Sequence, residues 1–488
     1  MTRTALCPLP VDDYRGRVPS TPSSPTNPPA TDPQPLDAQP LDPPPATAPA
    51  PTPRPRAHDR DILRLAVPAF FALVAEPLFV LVDSAIVGRL GTPQLAGLGV
   101  AGAMLTTLVN LCVFLAYATT AAVARLLGAG DPRAAIRQGL DGVWLAALLG
   151  LALTVVGLVT APWIVAAFGA SDSAGPYAVT YLRIGSLGVP AMLIVLAATG
   201  VLRGLQDTRT PLLVAVLGFS ANLLLNLGFV YGLHWGIAGS AWGTVIAQTG
   251  MAAVYLVTVV RGARRHGASL RPDLAGIRAS AGAGAPLFVR TVSLRAILIG
   301  ATVAATRMGD TSIATHQVAW QVWTFLAFAL DALAIAAQAI VGRALGAGDA
   351  TGARAATRRM LVWGVWTGAL FAIVVVAARP LYIPLFTADP AVRHLLAGTL
   401  LAVAVLQPVA AAVFVLDGVL IGAGDGRYLA LTMPLVLAAF GAALGTVLAL
   451  GGGLIAMWWW AIGTFMLARV ILLGHRVRAD AWLVTGRR

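Results

Sequence analysis

A few residues of this chain place ionisable or amide chemistry inside strongly apolar surroundings. Asp83 lies deep in the first long apolar run, and Glu76 precedes it by seven residues, on nearly the same face of a helix. A carboxylate in hydrocarbon costs about 2.5–3.5 kcal/mol, so such a group faces a bundle interior, finds a partner or carries a proton. A carboxyl group withdrawn from water holds its proton more readily, and can then load and release it near neutral pH. Asn222 and Asn226 are one helical turn apart and share a face, and amides can hydrogen-bond either protonation state of an acid. Asp83 is therefore the leading candidate for a coupling residue; a satisfied helix-packing acid and a position near the outer headgroups are the alternatives. Glu76 precedes Pro77, which removes a backbone donor and can bend the helix. Its carboxyl group either satisfies the backbone groups freed there or binds a cationic substrate and relays protons. Arg295 and Asp331 lie at similar depth, ~18–20 Å, in two later runs, which predicts an ion pair between them, either static or broken by motion. Arg290 and Asp417 lie shallower, at similar depth to one another.

Helices crossing a membrane must position these groups. A crossing of ~30 Å takes about 20 apolar residues. From Ile62 onward the chain reads as twelve such spans: 62–90, 95–126, 140–168, 177–202, 211–232, 237–260, 283–307, 313–344, 358–386, 394–421, 429–450 and 453–474. Of its 488 residues 58% are apolar and 11% charged, with mean hydropathy +0.79. A soluble protein is about 25% charged, so a soluble enzyme or a nucleic-acid-binding module is excluded as the main reading. The predicted class is an all-α integral membrane protein.

The net charge of +13 follows from topology. All 34 basic residues are Arg. They gather before span 1, in the loops 2–3, 4–5, 6–7, 8–9 and 10–11, and after span 12, with Arg89, Arg183, Arg307, Arg379 and Arg393 as the main exceptions. Basic residues mark cytoplasmic loops, which puts both termini in the cytoplasm and removes the need for a nucleic-acid partner. Residues 1–57 hold 17 of the 32 prolines, cannot offset the entropy of ordering, and are expected to form a disordered tail rather than a signal peptide. Cys7 and Cys112 cannot make a disulfide framework.

Shifting the chain by 218 residues aligns its halves in one register. Pro68 falls on Pro286, Arg125 on Arg343, Gly128-Ala129-Gly130-Asp131 on Gly346-Ala347-Gly348-Asp349, Pro190 on Pro408, and Asp207 on Asp425. Six spans per half make the halves parallel repeats about an axis along the membrane normal, an architecture of secondary transporters. The domains expected are a tail 1–57, an N-lobe 58–260, a linker 261–282, a C-lobe 283–475 and a second cytoplasmic tail 476–488. The repeated glycine loops read as tight turns whose Asp caps the next helix or pairs with a nearby Arg. No phosphate loop, metal-ligand spacing or Gly-x-Ser-x-Gly element occurs, so neither an enzyme nor a cofactor is expected.

Particular stretches sharpen this. Ala75-Glu76-Pro77-Leu78 with Val82-Asp83-Ser84-Ala85, Leu202-Arg203-Gly204-Leu205-Gln206-Asp207, Ala238-Gly239-Ser240-Ala241-Trp242-Gly243-Thr244, Val289-Arg290-Thr291, Ala314-Thr315-His316-Gln317 and Leu330-Asp331-Ala332 resemble the multidrug and toxic compound extrusion (MATE) family, its DinF-like branch in particular. The resemblance covers about 62–475. It implies a plasma-membrane antiporter, the bacterial inner membrane in bacteria, that exports organic, often cationic or amphipathic compounds against H⁺ or Na⁺ by alternating access of its two lobes. It also implies ion coupling at Asp83 with Asn222 and Asn226 of span 5 and Thr244 of span 6. Asn226 stands where an aspartate can occur and Phe79 where a tyrosine can occur, and fewer carboxylates argue against a multi-acid Na⁺ cage. A lipid-linked precursor flippase of the same superfamily is the alternative; it would need a cationic groove, for which Arg290 and Arg295 are the candidates.

Overall fold

The computed structural model describes residues 55–486, the side chains of residues 55–58, Glu76, Phe79 and Val80 excepted. These residues fold into helices alone, in the order α1 (Pro55–Gly88), α2 (Thr92–Gly128), α3 (Pro132–Ala167), α4 (Gly175–Leu187 with Val189–Gly204), α5 (Arg209–Gly232), α6 (Gly236–Arg265), α7 (Leu274–Arg307), α8 (Asp310–Gly346), α9 (Ala350–Ala377, continued by Arg379–Phe386), α10 (Pro390–Gly422), α11 (Gly426–Ala449) and α12 (Leu454–Arg478). Ten of them are long and apolar enough to cross a membrane as they stand, and α4 makes an eleventh when its two parts, bent by 49° ahead of Pro190, count as one span. In α1, residues 65–82 contain a single charged residue, Glu76, which supplies the twelfth crossing.

The repeat is visible in the helix boundaries. Adding 218 to the first residues of α2, α3 and α6 gives the first residues of α8, α9 and α12, and the other three pairs agree within three residues. The repeated loop aspartates act as helix caps. Asp131 accepts from the Ala134 N–H at 2.9 Å and Asp349 from the Gly352 N–H at 2.7 Å, which satisfies donors left open at a helix start. The second pair of loop aspartates has diverged. Asp207 takes the N–H groups of Arg209 and Thr210, both at 3.0 Å, whereas Asp425 pairs with Arg476 at 2.6 Å.

Within the expected linker 261–282 the non-helical part is the loop 266–273, because α6 and α7 continue as helices beyond their apolar stretches. Apolarity delimits the part of a helix in lipid, and arginine is itself a good helix former. The loop is pinned to α3: Arg137 donates to the carbonyls of Ser269 and Arg271 at 2.8 and 2.6 Å, and the Trp144 indole N–H to that of Leu270 at 3.3 Å.

The lobes meet where α2 crosses α8. The first glycine of each repeated loop lies at this crossing: a Cβ on Gly128 would strike the Arg343 carbonyl, and one on Gly346 would strike the Arg125 carbonyl. Residues 125 and 343, like 128 and 346, are repeat equivalents, so the contact is two-fold symmetric. Other bonds between the lobes gather at the same arginine-rich face. Arg343 donates to the Gln206 side chain at 2.5 Å, and Asp59 at the start of α1 takes two bonds from Arg359 of α9, 2.6 and 2.7 Å, and one from the Trp363 indole, 2.8 Å. Helix backbones this close leave a methyl group nowhere to go. Gly128→Ala and Gly346→Ala are each expected to cost about 1–3 kcal/mol, read as a lower midpoint of thermal unfolding in detergent.

Candidate functional site

Asp83 sits near the C-terminal end of α1 and is 6% exposed. Its Oδ1 accepts from the Asn226 amide at 2.6 Å and from the Ser240 hydroxyl at 2.8 Å. The same Asn226 amide nitrogen donates to Asn222 Oδ1 at 2.8 Å, and the Asn222 amide in turn to Thr244 Oγ1 at 3.1 Å. The Tyr181 hydroxyl of α4 lies against Asp83, Ser240 and Thr244. One polar chain thus runs through α1, α5 and α6, its members almost wholly buried. Asp83, Asn222, Asn226 and Thr244, separate in sequence, are brought together in it. Local geometry makes this feasible. Asn222 and Asn226 share a face by spacing, as do Ser240 and Thr244. Just after Asn226, α5 widens into a π-turn over Gly228–Gly232, and the Tyr231 hydroxyl of that turn donates to the Ile86 carbonyl of α1 at 2.8 Å.

Gly243 is the other requirement. A Cβ there would collide with Asn226 Oδ1, so the amide reaches Asp83 only because α6 has no side chain at that point. That oxygen has no hydrogen-bond partner among the described residues. Sequence reasoning did not single out Ser240 or Tyr181. Ser240 carried a signal, since it lies one turn before Thr244 on the same face; Tyr181 carried none, its distance in sequence being spanned only by folding.

In the C-lobe, Asp417 of α10 is the centre of a buried triad. Both Nε (3.2 Å) and Nη2 of Arg290 on α7 bond to it, as does Nη2 of Arg469 on α12 at 2.6 Å. The three residues are 4–8% exposed. Arg290 also lies 5.9 Å from the Tyr117 ring centroid, and Arg469 lies 5.4 Å from that of Phe465. The Arg295–Asp331 pair expected from depth does not form. Asp331 lies at the lobe seam, with Tyr117, Arg203, Arg290 and Asp417 as the groups acting on it, and Arg295 is half-buried elsewhere on α7. Equal depth sets one coordinate of three, and the helix faces carry the two side chains apart. The side chains of Glu76 and Phe79 lie outside the described residues. His316 is buried against Trp320 and Trp458, ring centroids 6.2 and 5.7 Å away, which makes it a packing residue of the C-lobe.

The two lobes use one backbone plan for different chemistry. The repeat equivalents of Asp83, Asn222, Asn226, Ser240 and Thr244 are Ala301, Phe440, Leu444, Trp458 and Ile462, all within the apolar core of the C-lobe. The equivalents of Arg290, Asp417 and Arg469 are Ala72, Thr199 and Met251.

Two six-helix lobes of apolar helices, one with a buried acid in an amide and hydroxyl cage, make the architecture of a membrane transporter. The MatE family model matches the chain twice, at residues 68–227 and 286–450, about two thirds of its length and one match per lobe. The chain is 32% identical over 391 residues to Protein DETOXIFICATION 44, chloroplastic, of Arabidopsis thaliana, covering 77% of this chain and 74% of the relative. It is 30% identical over 427 residues to DNA damage-inducible protein F of Escherichia coli K12, covering 85% and 91%. Among solved structures it superposes on a mutant of the Vibrio cholerae MATE transporter VcmN with TM-score 0.81 at 19% identity, covering 88% of this chain and 99% of that one. The chain belongs to the MATE family of membrane transporters.

Two substitutions separate the lobes' roles. Asp417→Ala leaves two guanidinium groups buried without their carboxylate and is expected to cost about 3–5 kcal/mol of stability, seen as a lowered unfolding midpoint. Gly243→Ala displaces the Asn226 amide and is expected to lower transport about tenfold in a liposome assay while the protein remains folded.

Proposed function

We propose that this protein is an antiporter that exports organic, cationic or amphipathic compounds in exchange for protons, with Asp83 as the coupling residue. The observation that carries the reading is the cage around Asp83. Its Oδ1 accepts from an amide and a hydroxyl, so a proton can sit on Oδ2 while both bonds persist. The carboxyl group can thus change charge without leaving a buried partner unsatisfied. Proton loading would remove the charge that the three helices enclose, and α1 would then be free to move against α5 and α6. The donors aimed at the carboxylate favour a proton over Na⁺, which would need those positions as acceptors.

The lobes touch at the arginine-rich face, which the distribution of Arg assigns to the cytoplasm. Alternating access would part them there to admit substrate and close them again for release on the opposite side. Of the two arginines a flippase would use, Arg290 is held by Asp417 and cannot line an open cationic groove, which leaves that reading Arg295 alone.

The test is transport in liposomes. Wild type under a pH gradient without Na⁺ is expected to move a fluorescent organic cation. Asp83→Asn keeps an acceptor for Asn226 and Ser240 but cannot take up a proton, so it is expected to lose gradient-driven transport while remaining folded. Wild-type transport that runs only on a Na⁺ gradient would reassign the coupling ion. No cation transport under either gradient would favour lipid flipping.

A further inference from the structure

Residues 479–486 follow α12 and lie across the seam between the lobes at the arginine-rich face. Trp482 anchors them: it is 2% exposed, and its indole N–H donates to the Val477 carbonyl of α12 at 3.0 Å. Asp480 adds a second anchor, taking two bonds from Arg354 of α9 at 3.1 and 3.0 Å. Beyond Trp482 the segment reaches both lobes within three residues. The Val484 carbonyl accepts from the Arg125 guanidinium at the end of α2, and the Gly486 N–H donates to the Leu345 carbonyl at the end of α8 at 3.0 Å. Arg125 and Leu345 flank the crossing that Gly128 and Gly346 allow.

We propose that segment 479–486 is a strap that latches the two lobes shut at the arginine-rich face. Three residues span at most ~11 Å and are already fixed at both ends, so α2 and α8 cannot separate while Val484 holds Arg125 and Gly486 holds Leu345. The anchors at Val477 and Arg354 and the bond to Leu345 all belong to the C-lobe; the bond to Arg125 reaches the N-lobe. The strap therefore stays with the C-lobe when the lobes part, and the contact that breaks is Arg125–Val484. It is a hydrogen bond from a buried, charged donor to a backbone carbonyl, and its loss is expected to change the ratio of closed to open lobes about tenfold.

This inference rests on the alternating-access reading, and one experiment separates the two. Spin labels are placed on the exposed helix starts through Arg133→Cys in α3 and Arg358→Cys in α9, in a Cys7→Ser, Cys112→Ser background, and distances are measured by pulsed electron paramagnetic resonance in nanodiscs. The full chain is compared with one ending at Leu483, which keeps Trp482 and the Asp480–Arg354 pair but removes both bridging bonds. The expected result is a short and a long distance in both proteins, with the ratio of long to short raised about tenfold by truncation. Where the shortened chain does not fold, Trp482→Ala in the full chain unseats the anchor and is expected to shift the ratio the same way. Two distances in an unchanged ratio would overturn the strap and leave alternating access standing. A single short distance in both proteins would overturn lobe parting at this face, and the strap with it.

Discussion

A buried polar group in a membrane protein has no water to fall back on, and the arrangement of the N-lobe follows from how Asp83 meets that constraint. Its carboxyl group draws one donor from α5 and one from α6. To deliver them, Asn226 must lie against a glycine of α6, α5 must present two amides on one face, and α1 must bring Asp83 to their level. Each requirement is local, and together they hold three helices in one relation. The same constraint fits the coupling role proposed for it: a site satisfied in both charge states can switch at low cost, whereas one satisfied in a single state would stay in it.

The C-lobe meets the constraint differently. Asp417 accepts from two guanidinium groups and reads as a fixed structural ion cluster. Elsewhere in that lobe, the positions equivalent to the N-lobe cage are filled by Phe440, Trp458 and Leu444. Gene-repeat symmetry has been kept in helix starts, in the caps at Asp131 and Asp349 and in the crossing glycines, where backbone geometry matters, and lost in the buried side chains, where chemistry matters. One lobe is thereby suited to change state and the other to stay rigid against it.

The seam between the lobes combines intimate backbone contact with few strong bonds. The glycine crossing permits close packing, and the polar links around it sit at the arginine-rich rim, where water can replace them when they break. Such a seam can open as two rigid bodies, because nothing within either lobe has to be rebuilt.

Much of this was legible in the amino-acid sequence by itself. Bilayer thickness sets the length of an apolar run, so twelve crossings could be read off composition; identical residues at one fixed offset showed the two lobes; and the cost of a charge in hydrocarbon singled out Asp83 and Asp417. The shared face of Asn222 and Asn226 followed from helical period alone. Only the tertiary structure decided which groups meet. Depth along a helix is readable from residue count, but rotation about the axis and the choice of neighbouring helix are not, so Arg295 and Asp331 could be matched in depth and yet lie apart. Arg469, inside the last apolar run, proved to be buried on Asp417. Gly128 and Gly346 looked like turn residues because a turn is a local property, whereas contact between two backbones is set by packing over the whole chain.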